Sequence, residues 1–350
     1  MKWIHNRVGR TSLIVASFLM VLAFSMATPA VSQDKINISF GGSSPGGMMY
    51  YLVGAAGNII TRDLPQYNIT QVTTGGSTEN CKRLLKGELD MGIVYGPHVY
   101  MALNQQGPFK DFPKGTMLRG VAKAYEGASY VVTLPDSDIK SMNDLVGKKV
   151  ALGPPGSGTV FNSSNVLRAL GLLDKVKPEM MSFADAGRAV ENRQIDAFFQ
   201  SSAPAGAVVK LAETKGAYVV PFTDEEMDKI VKAYPFYYGA IMKEGVYKGV
   251  PATQMPYLTV YWVAHERVPE QAIYDITKHV MQPEIMNELG EAHKGWKSII
   301  RKLASGKNNP SRLCAAAAPA AAAPHHPNLI PYQLLAEPRG DTYDEVFLAD

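Results

Sequence analysis

The sequence is poor in the residues that build metal centres and disulfide frameworks. Its 350 residues include only two cysteines, Cys81 and Cys314, and no Cys/His cluster has the spacing of metal ligands. A His-His pair at 325–326 lies in low-complexity sequence, so we expect neither a metal nor a cofactor. In an oxidising compartment the two cysteines are able to form a disulfide, but two unpaired thiols fit the sequence equally well.

Positive and negative charges are nearly balanced in the sequence. The formal net charge is +3, and the first 32 residues carry three basic and no acidic residues, which leaves the rest of the chain near neutrality. Without a basic field the chain is not expected to hold nucleic acid or an anionic membrane surface. Any selectivity for an anion must therefore come from local groups.

Long apolar runs are confined to the beginning of the sequence. Three basic residues, an apolar core over residues 13–26 and the small residues Ala30-Val31-Ser32 follow one another there. This order predicts a cleaved secretory signal over residues 1–32 and a periplasmic protein, with an uncleaved anchor as the alternative. No later segment has eighteen uninterrupted apolar residues, so we expect that the mature protein is not embedded in a membrane.

Gly/Ser-rich loops recur between predicted strands and helices. They occupy residues 41–47, 74–80 and 153–159. A helix N-terminus leaves free N–H groups, and open α/β sheets bind ligands at the carboxyl ends of their strands. One such loop alone is more simply a well-capped helix start, but three of them predict a ligand-binding cleft.

The order of the predicted elements indicates two similar α/β lobes. The succession strand, loop, helix, strand, helix, strand ends near residue 95 and restarts at Tyr130, with one of its later strands expected at Met180–Phe183. A further block contributes a strand at Thr259–Ala264 and two helices that begin with prolines.

The predicted boundaries follow from this order. We expect a first lobe of residues 33–130 plus about 245–300 and a second lobe of about 131–244. The Ala/Pro-rich residues 301–350 have no amphipathic period, so we predict a flexible tail there.

Several stretches taken together resemble the TAXI family of solute receptors that serve TRAP transporters, over roughly residues 35–298. They are Ser44-Pro45-Gly46-Gly47 with Tyr50, Thr74-Gly75-Gly76-Ser77 with Gly87-Glu88-Leu89-Asp90, Pro155-Gly156-Ser157-Gly158-Thr159, Asp196-Ala197-Phe198-Phe199, and Tyr234-Pro235-Phe236-Tyr237. The resemblance implies a two-lobe α/β fold of the periplasmic binding protein type, type II-like, with a hinge between the lobes. It also implies capture of a small carboxylate, which is glutamate-like, a dicarboxylate or an oxo-acid, and delivery to a fused TRAP membrane subunit.

Some positions depart from the family's usual pattern. Pro45 stands where the family usually has Thr, Met49 replaces the first of two usual tyrosines, and Tyr95-Gly96 replaces a Gln-Ser pair. These positions fall at the predicted cleft. They therefore leave the identity of the ligand open, whereas the predicted fold is unaffected.

The candidate ligand-binding residues come from the three loops and from nearby strand ends. They are Ser44, Gly46, Gly47, Tyr50, Thr74, Gly75, Gly76, Ser77, Tyr95, Gly156, Ser157, Gly158, Thr159, Gln200 and Tyr238. Their N–H and hydroxyl groups would bind a carboxylate without a dedicated arginine. Glu79 argues against this, because it would compete for the same helix dipole. We further expect Ser77→Ala to weaken binding and to leave the fold intact.

An enzyme is the alternative from another class. Gly42-Ser43-Ser44-Pro45-Gly46 has the G-x-S-x-G pattern of a hydrolase nucleophile elbow. Asp196 and either His265 or His279 are the only candidates for its partners. A nucleophile elbow normally follows several strands, whereas this one follows the first, so we expect no catalytic residues. Another alternative is a binding protein for a sulfonate, an aromatic acid or a thiamine precursor.

Overall fold

The computed structural model describes residues 34–293 and residue 296. The predicted signal, the predicted tail and Cys314 therefore lie outside the described residues. Within the described part, no helix combines the length and the apolar character that a membrane crossing needs.

The described residues form eleven strands and nine α-helices. The strands are β1 (Ile36–Gly41), β2 (Tyr67–Val72), β3 (Met91–Tyr95), β4 (Leu118–Ala128), β5 (Tyr130–Thr133), β6 (Lys149–Gly153), β7 (Lys177–Met180), β8 (Ala197–Gln200), β9 (Tyr218–Val219), β10 (Tyr238–Met242) and β11 (Thr253–His265). The helices are α1 (Met48–Asp63), α2 (Ser77–Leu85), α3 (Gly96–Leu103), α4 (Gly158–Ala169), α5 (Phe183–Glu191), α6 (Gly206–Thr214), α7 (Asp224–Ala233), α8 (Glu270–Val280) and α9 (Pro283–Ala292).

Two mixed sheets, each covered by helices, make up the architecture. In the first sheet β1 pairs in parallel with β2 and β3, and the long strand β11 runs antiparallel to β3. The opposite edge of β11 pairs with β4. The start of β11, from Thr253 to Tyr257, pairs with β10. The second sheet has the order β7-β6-β8-β5-β9, in which β5 is the antiparallel strand.

The two sheets repeat one strand order. In each, the first parallel strand lies between the second and the third, and the third pairs with an antiparallel strand. The remaining strands of the sheet pair with that antiparallel strand. This repeated order is that of the type II periplasmic binding protein fold. The predicted fold class, two α/β lobes of this type, is therefore confirmed.

The chain crosses between the sheets twice. It leaves the first sheet at Ala128 and enters the second at Tyr130, and it returns between α7 and β10. The predicted second lobe ran to residue 244, but β10 belongs to the first sheet. The reason is that β10 and β11 form an antiparallel hairpin, in which Tyr238 pairs with Tyr257 and Met242 with Thr253.

Local signals account for several helix ends. α2 ends just before Gly87, which has a φ of 67° and whose N–H donates a hydrogen bond to the carbonyl of Leu84. The strand predicted at Met180–Phe183 is wrong in its position: β7 ends at Met180. Ser182 instead caps α5, because its hydroxyl accepts a hydrogen bond from the Asp185 N–H.

Candidate functional site

The three predicted loops meet at one cavity between the two sheets. Its walls are formed by Ser43, Gly47, Met48, Met49, Gly75, Gly76, Ser77, Tyr95, Tyr125, Ser157, Gly158, Thr159, Phe183 and Ser202. The cavity is narrow: the volume that the centre of a water molecule can occupy in it is about 10 Å³. The walls carry hydroxyl, backbone and apolar groups, and none of these residues has a charged side chain.

Eight of the predicted ligand-binding residues lie in these walls. They are Gly47, Gly75, Gly76, Ser77, Tyr95, Ser157, Gly158 and Thr159. Five come from the first lobe and three from the second, so the structure brings residues far apart in the sequence to one place.

The other predicted residues do not line this cavity. They are Ser44, Gly46, Tyr50, Thr74, Gly156, Gln200 and Tyr238. Thr74 supports its own loop, because its Oγ1 accepts a hydrogen bond from the Gly76 N–H at 3.1 Å. The carbonyl of Gly156 accepts a bond from the Glu79 N–H at 2.9 Å and so joins the lobes.

Two aromatic candidates are occupied elsewhere. The Tyr238 hydroxyl donates to the carboxylate of Glu126, and its ring stacks on Tyr257 with the centroids 6.1 Å apart. Tyr50 makes an edge-to-face contact with Tyr51. The structure therefore places neither ring against the cavity.

Two buried polar candidates stand near the walls without partners. Both amide atoms of Gln200 and the hydroxyl of Ser44 find no hydrogen-bond partner among the described residues. Gln200 precedes the wall residue Ser202 by two positions, and Ser44 follows the wall residue Ser43. Buried polar groups are normally paired, so a role for these two in binding stays a prediction.

Four helices begin at the cavity. Met48, Ser77, Gly158 and Phe183 are the first residues of α1, α2, α4 and α5, and all four line the walls. The first N–H groups of a helix have no acceptor within the helix, and the helix dipole places partial positive charge there. Backbone groups of this kind favour an anion.

The two lobes touch directly around the cavity. Thr78 Oγ1 donates to the Ser157 carbonyl at 3.2 Å, and the Ala184 N–H donates to the Pro45 carbonyl at 3.3 Å. A Cβ on Gly75 would lie 2.1 Å from the carbonyl oxygen of Pro155. Only glycine allows this approach.

The hydroxyl of Ser77 is engaged within the first lobe. Its Oγ lies 2.6 Å from Nδ1 of the buried His98 and accepts a hydrogen bond from the Tyr95 N–H at 2.7 Å. Desolvation, with a smaller contribution from Lys82, lowers the pKa of His98 to about 3, so the ring is neutral. The Thr78 hydroxyl donates to the Ser157 carbonyl and so accepts from Nε2 at 3.5 Å, which leaves Nδ1 to accept the hydrogen bond from the Ser77 hydroxyl. Ser77 therefore fixes the start of α2, and only its N–H remains for a ligand.

Glu79 does compete for the loop, as the sequence predicts. Its Oε2 accepts a hydrogen bond from the Gly75 N–H at 2.7 Å, and its Oε1 lies 3.6 Å from Arg83. One donor of the second loop is thus taken by a carboxylate of the protein. A bound anion must use the donors that remain.

A family assignment follows from comparison with known proteins. The profile of the NMT1-like family matches residues 40–318 of this chain. The chain belongs to the NMT1-like family. The match covers the three loops, every wall residue of the cavity, and both sheets apart from the first four residues of β1.

Solved structures of similar shape have low sequence identity to this NMT1-like chain. The periplasmic aliphatic sulphonate binding protein SsuA from Escherichia coli is 15% identical, covers 75% of this chain and 78% of its own, and gives a TM-score of 0.41. SsuA from Xanthomonas axonopodis pv. citri, solved with MOPS, is 16% identical with coverages of 82% and 86% and a TM-score of 0.44. The regulatory domain of OxyR2 from Vibrio vulnificus is 13% identical, with coverages of 77% and 99% and a TM-score of 0.41.

Sequence reasoning missed six wall residues of the NMT1-like site. They are Ser43, Met48, Met49, Tyr125, Phe183 and Ser202. Ser43 lies inside a predicted loop and Met48 directly follows it, so the loop itself was the signal for them. Tyr125 lies inside a strand that the sequence did not predict, and nothing local marks it.

The residues proposed for a hydrolase do not assemble. Ser44 Oγ has no hydrogen-bond partner among the described residues. His279 Nε2 lies 3.0 Å from Asp63, His265 Nδ1 accepts a bond from the Arg267 N–H, and Asp196 Oδ2 accepts one from the Lys149 N–H. Each candidate partner is thus occupied by another group.

Metal ligands are not gathered in the described part of the NMT1-like chain, where no three His, Cys, Asp or Glu side chains come together. Cys81 is buried, forms no disulfide with a described residue, and has its pKa raised by desolvation. Such a thiol is inert towards metals and oxidants.

Proposed function

We propose that this NMT1-like protein is an extracytoplasmic solute receptor that captures a small carboxylate between its two lobes. The ligand is glutamate-like, a dicarboxylate or an oxo-acid, and the lobes close on it by a hinge motion. The role needs no cofactor and no catalytic step.

The convergence of four helix N-termini on one cavity carries the proposal. Met48 and Ser77 come from the first lobe and Gly158 and Phe183 from the second. Charge-assisted hydrogen bonds from such N–H groups are shorter and stronger than neutral ones. Donors from both lobes are brought together only when the lobes meet, which couples binding to closure.

The apolar part of the walls supports an organic anion. Met48, Met49 and Phe183 lie among the donors, and their side chains suit a short carbon skeleton better than a bare inorganic ion. Binding sites for small molecules commonly combine such apolar walls with a few placed polar groups.

The partner and the compartment come from the sequence. The predicted signal over residues 1–32 directs the chain across the inner membrane. The resemblance to TAXI receptors supports delivery to a fused TRAP membrane subunit. Membrane vesicles that carry this subunit should take up labelled ligand only when the receptor is added.

A thermal-shift screen tests the ligand class. L-glutamate, succinate and 2-oxoglutarate would be compared with ethanesulfonate, benzoate and a pyrimidine precursor of thiamine. A ligand at about 100 times its Kd stabilises the folded state by about 2.7 kcal/mol, which raises the melting temperature by several degrees. Stabilisation only by ethanesulfonate, benzoate or the thiamine precursor would contradict the proposal.

A fluorophosphonate probe tests the absence of a hydrolase. We expect no labelling of Ser44, since no histidine reaches it. Ser77 should also stay unlabelled, although it bonds His98, because its Oγ is buried and already accepts the Tyr95 N–H. Covalent labelling of either serine would overturn the receptor role.

A further inference from the structure

Among the hydroxyls of the first lobe that line the cavity, that of Tyr125 differs in its hydrogen bonding. Those hydroxyls belong to Ser43, Ser77, Tyr95 and Tyr125. The Ser77 hydroxyl donates a hydrogen bond to His98 Nδ1, and the Tyr95 hydroxyl donates to the Ser201 carbonyl at 3.4 Å. Ser43 accepts from the Tyr50 N–H at 3.2 Å and donates to the Ser44 carbonyl at 3.3 Å.

Tyr125 has no such arrangement. Its side chain is 98% buried, given a relative exposure of 2%, and its Oη has no hydrogen-bond partner among the described residues. A buried hydroxyl without a partner destabilises a fold. A phenylalanine ring would fill the same space without this cost. The hydroxyl of Tyr125 therefore has a role other than stabilising the fold.

The strand that carries Tyr125 is distorted at this position. Tyr125 pairs with Val260 and Lys123 pairs with Tyr261, so Ala124 is an extra residue in β4. A bulge of this kind changes the direction in which the next side chain points, and bulges are common beside binding sites. The ring of Tyr125 is thereby turned into the cavity wall.

We propose that the Tyr125 hydroxyl donates a hydrogen bond to an anionic oxygen of the ligand and is the first lobe's side-chain donor in this site. The inference rests on the proposed function and extends it, because it names a residue that sets ligand specificity. The neighbourhood keeps the phenol protonated: burial, and to a smaller degree Tyr95, raise its pKa well above the ordinary value. A protonated phenol beside free N–H groups offers a donor to an anion and favours it over a neutral ligand.

Tyr125→Phe tests the inference directly, because it removes the oxygen and keeps the ring. Calorimetry would measure Kd for whichever probe of the set L-glutamate, succinate, 2-oxoglutarate and ethanesulfonate binds the wild-type protein most tightly. Loss of one charge-assisted hydrogen bond raises Kd by about tenfold or more. We also expect the melting temperature of the ligand-free variant to equal or exceed that of the wild type.

Tyr67→Phe is the matched control. Tyr67 is also buried, but its hydroxyl donates to Asp275 at 2.7 Å and does not line the cavity. This variant should melt at a lower temperature and keep its Kd within about twofold of the wild type.

The outcomes separate the two proposals. An unchanged Kd for Tyr125→Phe, with ligand bound by the wild type, overturns the role of Tyr125 alone. A raised Kd for ethanesulfonate with no carboxylate bound overturns the carboxylate assignment and keeps the role of Tyr125. If the wild type binds none of these anions, both proposals are wrong.

Discussion

Gly75 in the first lobe faces the carbonyl oxygen of Pro155 in the second, at a distance that leaves no room for a side chain. A Cβ at Gly75 would lie 2.1 Å from that oxygen, well inside van der Waals contact. The neighbouring bond from the Glu79 N–H to the Gly156 carbonyl fixes the same two segments against each other. The approach of the lobes therefore depends on the absence of one methyl group.

Gly75→Ala should hold the lobes apart and lower ligand affinity by about tenfold or more, because the clash involves a backbone carbonyl that has no alternative rotamer. Calorimetry would measure Kd, and small-angle scattering would measure the radius of gyration with ligand present. Gly187→Ala is the control, since its Cβ would meet its nearest neighbour, the Ala207 carbonyl, at an ordinary 3.4 Å. A Gly75→Ala variant that binds as the wild type does would contradict this steric role.

Ser77→Ala should unfold more easily, in contrast to what the sequence predicts. The change leaves the buried His98 ring and the Tyr95 N–H without their shared partner, which costs about 1–3 kcal/mol. Urea denaturation would measure the loss. Ser164→Ala, at a partly exposed position in α4, should change stability by less than about 0.5 kcal/mol. Equal stability of Ser77→Ala and the wild type would show that the buried pair contributes nothing.

The stability of the protein should rise with pH between about 3 and 6.5 through His98. Desolvation lowers the pKa of His98 to about 3 in the fold, whereas the unfolded chain has the ordinary value of about 6.5. In this window the unfolded state binds more protons, so the contribution is complete above pH 6.5 and is lost as the pH falls.

His98→Asn removes this titration and keeps an acceptor for Ser77. The free energy of unfolding, measured in urea at pH 7.5, 6.5, 5.5 and 4.5, should fall by as much as about 1.4 kcal/mol per pH unit more steeply in the wild type than in the variant. Parallel curves would mean that His98 is accessible to protons in the fold.

Tyr247→Phe should weaken the region where the chain returns to the first sheet. The Tyr247 hydroxyl accepts from the Ala205 N–H at 2.8 Å and lies 2.5 Å from the Tyr130 hydroxyl, which donates to the Ser202 carbonyl. The change leaves the buried Ala205 N–H unpaired, at a cost of about 1–3 kcal/mol. Tyr218→Phe is the control, because its hydroxyl makes one long, exposed bond to the Lys140 carbonyl. Equal urea midpoints for the two variants would contradict the predicted contribution of the Tyr247 hydroxyl to stability.

The sequence predicts the loops well because their signals are local. A Gly/Ser run between an alternating strand and an amphipathic helix marks a helix N-terminus whatever else surrounds it, and all three runs lie at the cavity. The stop of α2 at Gly87 is equally local. Short-range backbone preferences decide such features.

The missed features depend on partners distant in the sequence. β4 has no strict alternation, and its ladder partner β11 begins more than a hundred residues later. The bulge that directs Tyr125 exists only in that pairing. His98 gave no signal either, since its importance arises from contacts with Ser77. Register and burial of this kind are set by tertiary packing rather than by local propensity.

The position of β11 also bears on the order in which the protein folds. β3 and β4 do not pair with each other; β11 separates them, so the first sheet stays divided until residues 253–265 have been synthesised. The second sheet is complete by Val219. Contacts of such long sequence separation form slowly. β3 and β4 therefore keep unpaired edges until β11 arrives, and the second sheet can be complete before the first.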